Sequence, residues 1–158
     1  MQIRRAVQRD SEAIARLAAQ AAAEEGAVSS LDLDRVRAHA FGQHALFEVW
    51  IAQERNNAPV IGQAVISKSY DFRRAAPNVV LCELYVAPEA RRSGLARRLM
   101  SAVARRARDL GARELAITTG VENEVAQRFF AAVGANRRED VVFLMSADGI
   151  EWLAAESL

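Results

Sequence analysis

Between Arg91 and Ala96 the chain places Arg91, Arg92, Ser93, Gly94, Leu95 and Ala96 in succession, with Arg97 and Arg98 directly behind. The chemistry open to such a run is anion binding. The first turn of a helix leaves backbone N–H groups without partners, and their aligned dipoles favour negative charge. Gly94 and Ala96 carry little or no side chain, so a pyrophosphate can come close to the backbone while the arginines surround it with positive charge. The rival reading of the loop is an ordinary turn with solvated arginines. Upstream, strand alternation puts Glu83 and Tyr85 on one face and Cys82, Leu84 and Val86 on the other.

A cradle of this kind needs a strand to deliver the chain and a helix to present the amides. Leu84 to Val86 is apolar and partly β-branched, and Pro88 stops it. Leu95, Leu99, Ala102, Val103, Ala107 and Leu110 fall on one stripe, predicting a helix from Gly94 to Leu110 that Gly111 closes. Glu114 to Thr119 is then expected to be a strand parallel to the one before the loop, and the unit from Leu81 to Thr119 favours a right-handed crossover. Before it, the spacing predicts a strand at Met1 to Val7, a helix at Ser11 to Glu25 capped by Asp10, and a helix at Asp32 to Phe41. The two helices form a lid-like pair beside a cleft. Strands follow at Phe47 to Ala52, Val60 to Tyr70 and Val79 to Val86, with a last one at Val141 to Met145 and a short tail helix from Ala147 to Leu158 that uses Trp152 and Leu153.

The bulk properties narrow the class. A length of 158 residues suits a single domain, 1–158, with one core. No apolar stretch approaches the length of a membrane span, and Met1 to Asp10 has no signal-peptide pattern, so a cytoplasmic protein is expected. Cys82 is the only cysteine, which excludes an internal disulfide and a cysteine-based metal site; no metal is expected. A formal net charge of +1 tells against a general nucleic-acid binder.

The loop resembles that of the GNAT superfamily of N-acetyltransferases, in which Gln or Arg is followed by two variable residues, Gly, one variable residue, and Gly or Ala. Arg91, Gly94 and Ala96 occupy those places, after a strand carrying Glu83, Leu84, Tyr85, Val86 and Pro88. Asn123, Ala126, Phe129, Phe130 and Gly134 resemble the family's later helix, with one departure: the tyrosine that often protonates the leaving thiolate falls on Phe130, whose ring has no proton to give. The resemblance implies a mixed α/β fold: a mostly antiparallel twisted sheet with a splayed parallel strand pair, flanked by about four helices.

It further implies acetyl-coenzyme A as acyl donor and an amine-bearing acceptor, with homodimerisation common. Glu83 is the expected catalytic residue, taking the amine proton directly or through water. Leu84, Tyr85 and Val86 would line the pantetheine arm, a backbone N–H near Val86 would stabilise the oxyanion, and Arg91, Arg92, Ser93, Gly94, Leu95, Ala96 and Arg97 would hold the pyrophosphate. Asn123 and Phe130 complete the cofactor set, although Asn123 reads equally as a helix cap and Phe130 as core. With the tyrosine lost, water or Tyr85 is left to protonate the thiolate. Asp32, Asp34, Glu48 and Asp71 lie where acceptor-binding segments are expected, and serve equally as solvated charges. An acyl-coenzyme-A-binding module without catalysis is the alternative function, and Phe130 is its main support.

Overall fold

The alternating runs that predict strands close into one sheet. The computed structural model describes residues 1–156. Strands β1 (Gln2–Arg5), β2 (Phe47–Gln53), β3 (Val60–Asp71), β4 (Ala76–Val86) and β5 (Leu115–Ile117) lie in the order β1-β2-β3-β4-β5. The first three pairings are antiparallel, and β4 with β5 is parallel. Helix α1 spans Ser11–Glu24, α2 Leu33–Ala40 and α3 Leu95–Asp109. By internal contact the chain divides into two compact units, Met1–Gly120 and the residues from Val121 on.

In the first unit the sheet is covered on both faces. Ile14 and Leu17 of α1 and Val36 and Ala40 of α2 share a core with Val49, Ile51, Val65 and Tyr85. The other face takes α3, whose Leu95, Leu99, Ala102 and Val103 are buried. Gly62 lies under α3 with little room: a Cβ there would stand 3.1 Å from the Tyr85 carbonyl oxygen and 3.4 Å from side-chain atoms of Leu95 and Leu99. Arg106 of α3 makes a bidentate contact, 2.7 and 2.8 Å, with the buried Glu48 carboxylate, which Lys68 and Arg5 also approach. Asp10 differs from its expected part. Its carboxylate accepts from the Val7 amide and the Arg4 guanidinium, so it ties down the 3-10 turn ahead of α1, and no side chain bonds to the α1 amides from that position.

The second unit holds helices α4 (Glu124–Ala132) and α5 (Ala147–Ala154). Five α-helices are thus present among the described residues, in keeping with the helices expected from the sequence. Asn123 caps α4 and Ser146 caps α5, each accepting from an amide three residues on. The strand expected at Val141 to Met145 does not form. A β-branched apolar run becomes a strand only when a neighbour supplies ladder hydrogen bonds, and Val141, Val142, Phe143 and Leu144 are instead 73–92% exposed. Trp152 and Leu153 of α5 are exposed too, and the last residues of the tail helix predicted to reach Leu158 lie outside the described residues. No helix of the described residues is long and apolar enough to cross a membrane.

Candidate functional site

Strand β4 is irregular where the sequence places its carboxylate. Val65 pairs with Glu83 but Ile66 pairs with Leu81, so Cys82 is an extra residue, a β-bulge. Glu83 and Tyr85 therefore share the α1 face with their partners Val65 and Gln63, and Leu84 and Val86 share the α3 face with Ala64 and Gly62, as alternation predicts. Cys82 departs from it. Bulging turns its thiol toward Ser67, 3.5 Å away, which stands on the Glu83 side. The parallel ladder to β5 pairs Val79, Val80 and Leu81 and goes no further, so β4 parts from β5 at the bulge. Backbone groups of the next residues are left without a β5 partner, in the stretch where the resemblance implies a bound pantetheine arm.

Glu83 is half-buried, and the Gln63 amide donates from Nε2 to its Oε1 at 2.5 Å. Burial pushes the Glu83 carboxyl above the ordinary range; the Gln63 hydrogen bond opposes this and the nearby Glu25 charge adds to it. A carboxylate displaced upward is the better proton acceptor near neutral pH. Tyr85 is committed elsewhere: its hydroxyl donates to Glu24 at 2.8 Å, and burial followed by the Glu24 hydrogen bond raises its pKa. Its proton is directed at Glu24.

After β4 a 3-10 turn at Pro88–Ala90 leads to the arginine loop. Arg92 and Gly94 both have positive φ, 60° and 78°. Glycine meets the second at no steric cost, and a Cβ there would meet no atom within 4 Å. Gly94 is the N-cap of α3; no described side chain caps it, and no acidic residue stands in the first turn. Arg98 donates to the Gly94 carbonyl at 3.2 Å, and the amides of Leu95 and Ala96, in the first turn, lie ahead of any intrahelical acceptor. This open terminus, without a side chain in the way, fits a pyrophosphate.

The loop's residues divide by what they present. Leu95 buries its side chain in the core and offers only its backbone, Ala96 is half-buried, and Arg92, Ser93, Gly94 and Arg97 are exposed. Arg91 is tied back: its Nε donates to the Val86 carbonyl at 2.9 Å, its Nη2 contacts both Glu24 oxygens at 2.6 and 2.7 Å, and its guanidinium lies 5.7 Å from the Tyr85 ring centroid. Arg91 thus clasps the end of α1 to the root of the loop, a role the loop motif alone does not reveal. Gln63 was likewise missed, and the only signal was a glutamine in an apolar strand. The acidic residues that lie where acceptor-binding segments are expected each have a partner within the chain. Asp32 caps α2, Asp71 holds Arg74, Asp34 lies 4.0 Å from Arg37, and Glu48 is buried among cations. In the second unit Asn123 is the α4 cap, accepting from the Ala126 amide at 3.0 Å, and Phe130 is half-buried with its ring edge-on to Phe129. No group of His, Cys, Asp or Glu among the described residues could hold a metal ion.

A sequence profile of the acetyltransferase (GNAT) family matches residues 12–135. The chain belongs to the GNAT acetyltransferase family. Among curated GNAT relatives, the aminoglycoside N(6')-acetyltransferase type 1 of Salmonella typhimurium is 35% identical over 86 residues, covering 52% of this chain and 59% of the relative. The protein of the same name from Serratia marcescens is 37% identical over 83 residues, covering 51% and 57%. This chain therefore spans less than two thirds of their length. Of solved structures, an aminoglycoside N-acetyltransferase in complex with CoA superposes with a TM-score of 0.70 at 26% identity, over 92% of this chain and 98% of that one. An integron cassette protein from the mobile metagenome of V. cholerae shares the fold, with a TM-score of 0.80 at 22% identity over 98% of both chains.

Proposed function

We propose that this GNAT protein transfers an acetyl group from acetyl-coenzyme A to a primary amine, with Glu83 as general base. The observation that carries the reading is the position of Glu83: half-buried, raised in pKa, beside the bulge where β4 leaves β5, on the strand that runs into the uncapped α3 terminus. Acetyl-coenzyme A supplies an activated thioester. The chain supplies the rest. Amides at the start of α3, with Arg92, Ser93, Gly94, Ala96 and Arg97 around them, hold the pyrophosphate; the edge of Leu84 to Val86 beyond the β5 ladder holds the arm; Glu83 removes a proton from the ammonium form of the acceptor, whose nitrogen otherwise has no lone pair to attack with.

The relatives' names support an aminoglycoside-like, polycationic acceptor, and Glu25 and Glu83 around the end of α1 give such an acceptor negative charge to approach. We place the protein in the cytoplasm. The exposed run from Val141 to Leu144 supports a homodimer, which the molar mass in solution would test. Phe130 favours a second reading, an acyl-coenzyme-A sensor without turnover.

The deciding experiment pairs thermal shift with thiol release. Acetyl-coenzyme A and coenzyme A should raise Tm and ATP should not, since a ligand at about 100 times its Kd stabilises by roughly 2.7 kcal/mol. Coenzyme A should be released in the presence of an aminoglycoside or another primary amine. A Tm shift without release from any amine would favour the sensor, and no shift at all would overturn both readings.

A further inference from the structure

Gln63 is out of place unless it serves Glu83. It lies on β3 between Ile51 of β2 and Tyr85 of β4, on the apolar α1 face, and its side chain is fully buried. Burying an amide is unfavourable unless its polar atoms are bonded. Here Nε2 reaches only Glu83 Oε1, and Oε1 of the amide has no partner among the described residues. A methionine or leucine would fill the same space without an orphaned acceptor. What the amide adds is one hydrogen bond to one carboxylate oxygen.

We propose that Gln63 is a positioning residue for the transfer reaction: its buried amide fixes Glu83 Oε1 and leaves Oε2 as the atom that receives the proton of the acceptor amine. The inference rests on Glu83 acting as base. In the step it serves, the N–H bond of the ammonium breaks, an O–H bond forms at Glu83 Oε2, and the freed lone pair stays on nitrogen; the proton later passes to water. Donation from Nε2 is stronger to the carboxylate than to the neutral acid, so Gln63 also counters the burial that favours protonated Glu83. The other groups around the carboxylate do not replace it. Glu25 at the end of α1 repels its charge, Glu24 beside it is taken up by Arg91 and Tyr85, and on β4 the Cys82 thiol points to Ser67 and the Val80 carbonyl.

The test uses Gln63→Met, with Gln63→Leu as a second apolar variant should the first fail to fold. Glu83 is titrated by the side-chain carboxyl 13C signal of glutamate-labelled protein, assigned by its disappearance in Glu83→Gln, and kcat is measured against pH. In the apolar variants Glu83 should titrate at higher pH than in wild type. Their kcat should fall roughly fivefold or more at pH 6 yet come within about twofold of wild type at pH 9, with KM for acetyl-coenzyme A unchanged. An unmoved Glu83 titration, or a kcat lowered by one factor at every pH together with a lower Tm, would overturn the proposal by reducing Gln63 to packing. If Glu83→Gln keeps wild-type rates across the pH range, the base reading itself fails and takes the proposal with it. An inactive Glu83→Gln beside an unmoved titration removes the role of Gln63 alone.

Discussion

Glu83 and Glu48 are both glutamates of the central sheet, and their surroundings shift them in opposite directions. Glu48 is 5% exposed and is held below the usual carboxylate range chiefly by its hydrogen bonds from Arg106, against the cost of burial. Among the described residues no cation is bonded to Glu83, and burial raises it. The signs of their linkage to stability follow. Glu48 binds its proton less readily when folded, so its contribution is present above its unfolded pKa of about 4.3 and is lost as pH falls through the lower folded value. Glu83 binds its proton more readily when folded, so its contribution is present below that same unfolded pKa and is lost as pH rises through the higher folded value. Glu83→Gln should therefore raise Tm at pH 8, with the gain vanishing toward pH 4, while kcat falls about a hundredfold and the Tm shift with acetyl-coenzyme A persists. Glu48→Gln should lose about 1–3 kcal/mol at pH 7, measured by urea unfolding, and approach wild type in acid. Glu83 was legible from the sequence as the candidate base through the resemblance of its strand to the family's central strand. Its amide partner was not, because Gln63 lies 20 residues away.

At the scale of elements, periodicity located the strands and helices of the first unit to within a few residues, since each has one apolar face and a core to turn it toward. It failed where a partner decides. The run from Val141 to Met145 has strand composition without a ladder, and Asp10 has cap chemistry that Arg4 and the Val7 amide take up. Spacing also gave no sign of the bulge, because one extra residue leaves the alternation of Glu83 and Tyr85 unchanged. Two glycines separate packing from backbone effects. Gly62→Ala should cost about 1–3 kcal/mol, because the new methyl would press on the Tyr85 carbonyl and on Leu95 and Leu99. Gly94→Ala meets no atom and should cost about 1 kcal/mol through its positive φ alone. Calorimetric titration of coenzyme A into both variants would then show whether the α3 terminus tolerates the change.

Across the whole first unit, the contacts that organise the site join residues far apart in the chain, and no local pattern announces them. Arg91 reaches Glu24 across 67 positions and Arg106 reaches Glu48 across 58. The Glu24 cluster has a testable asymmetry. The ion pair with Arg91 is about half exposed and adds little, whereas the Tyr85 hydroxyl depends on Glu24 for its hydrogen bond. Glu24→Ala should therefore cost about 1–2 kcal/mol and Arg91→Ala less than 1 kcal/mol, compared by thermal unfolding at one salt concentration.

The extra residue at Cys82 bears on how such a site arises. Because β3 pairs Val65 with Glu83 and Ile66 with Leu81, removing Cys82 would leave every remaining side chain of β4 on its present face. The shortened strand would be regular and free to extend its pairing with β5 past Leu81. Such a deletion should fold at least as well and bind coenzyme A poorly. The slot is then a difference of one codon, open to gain or loss in a single step without redesign of the core.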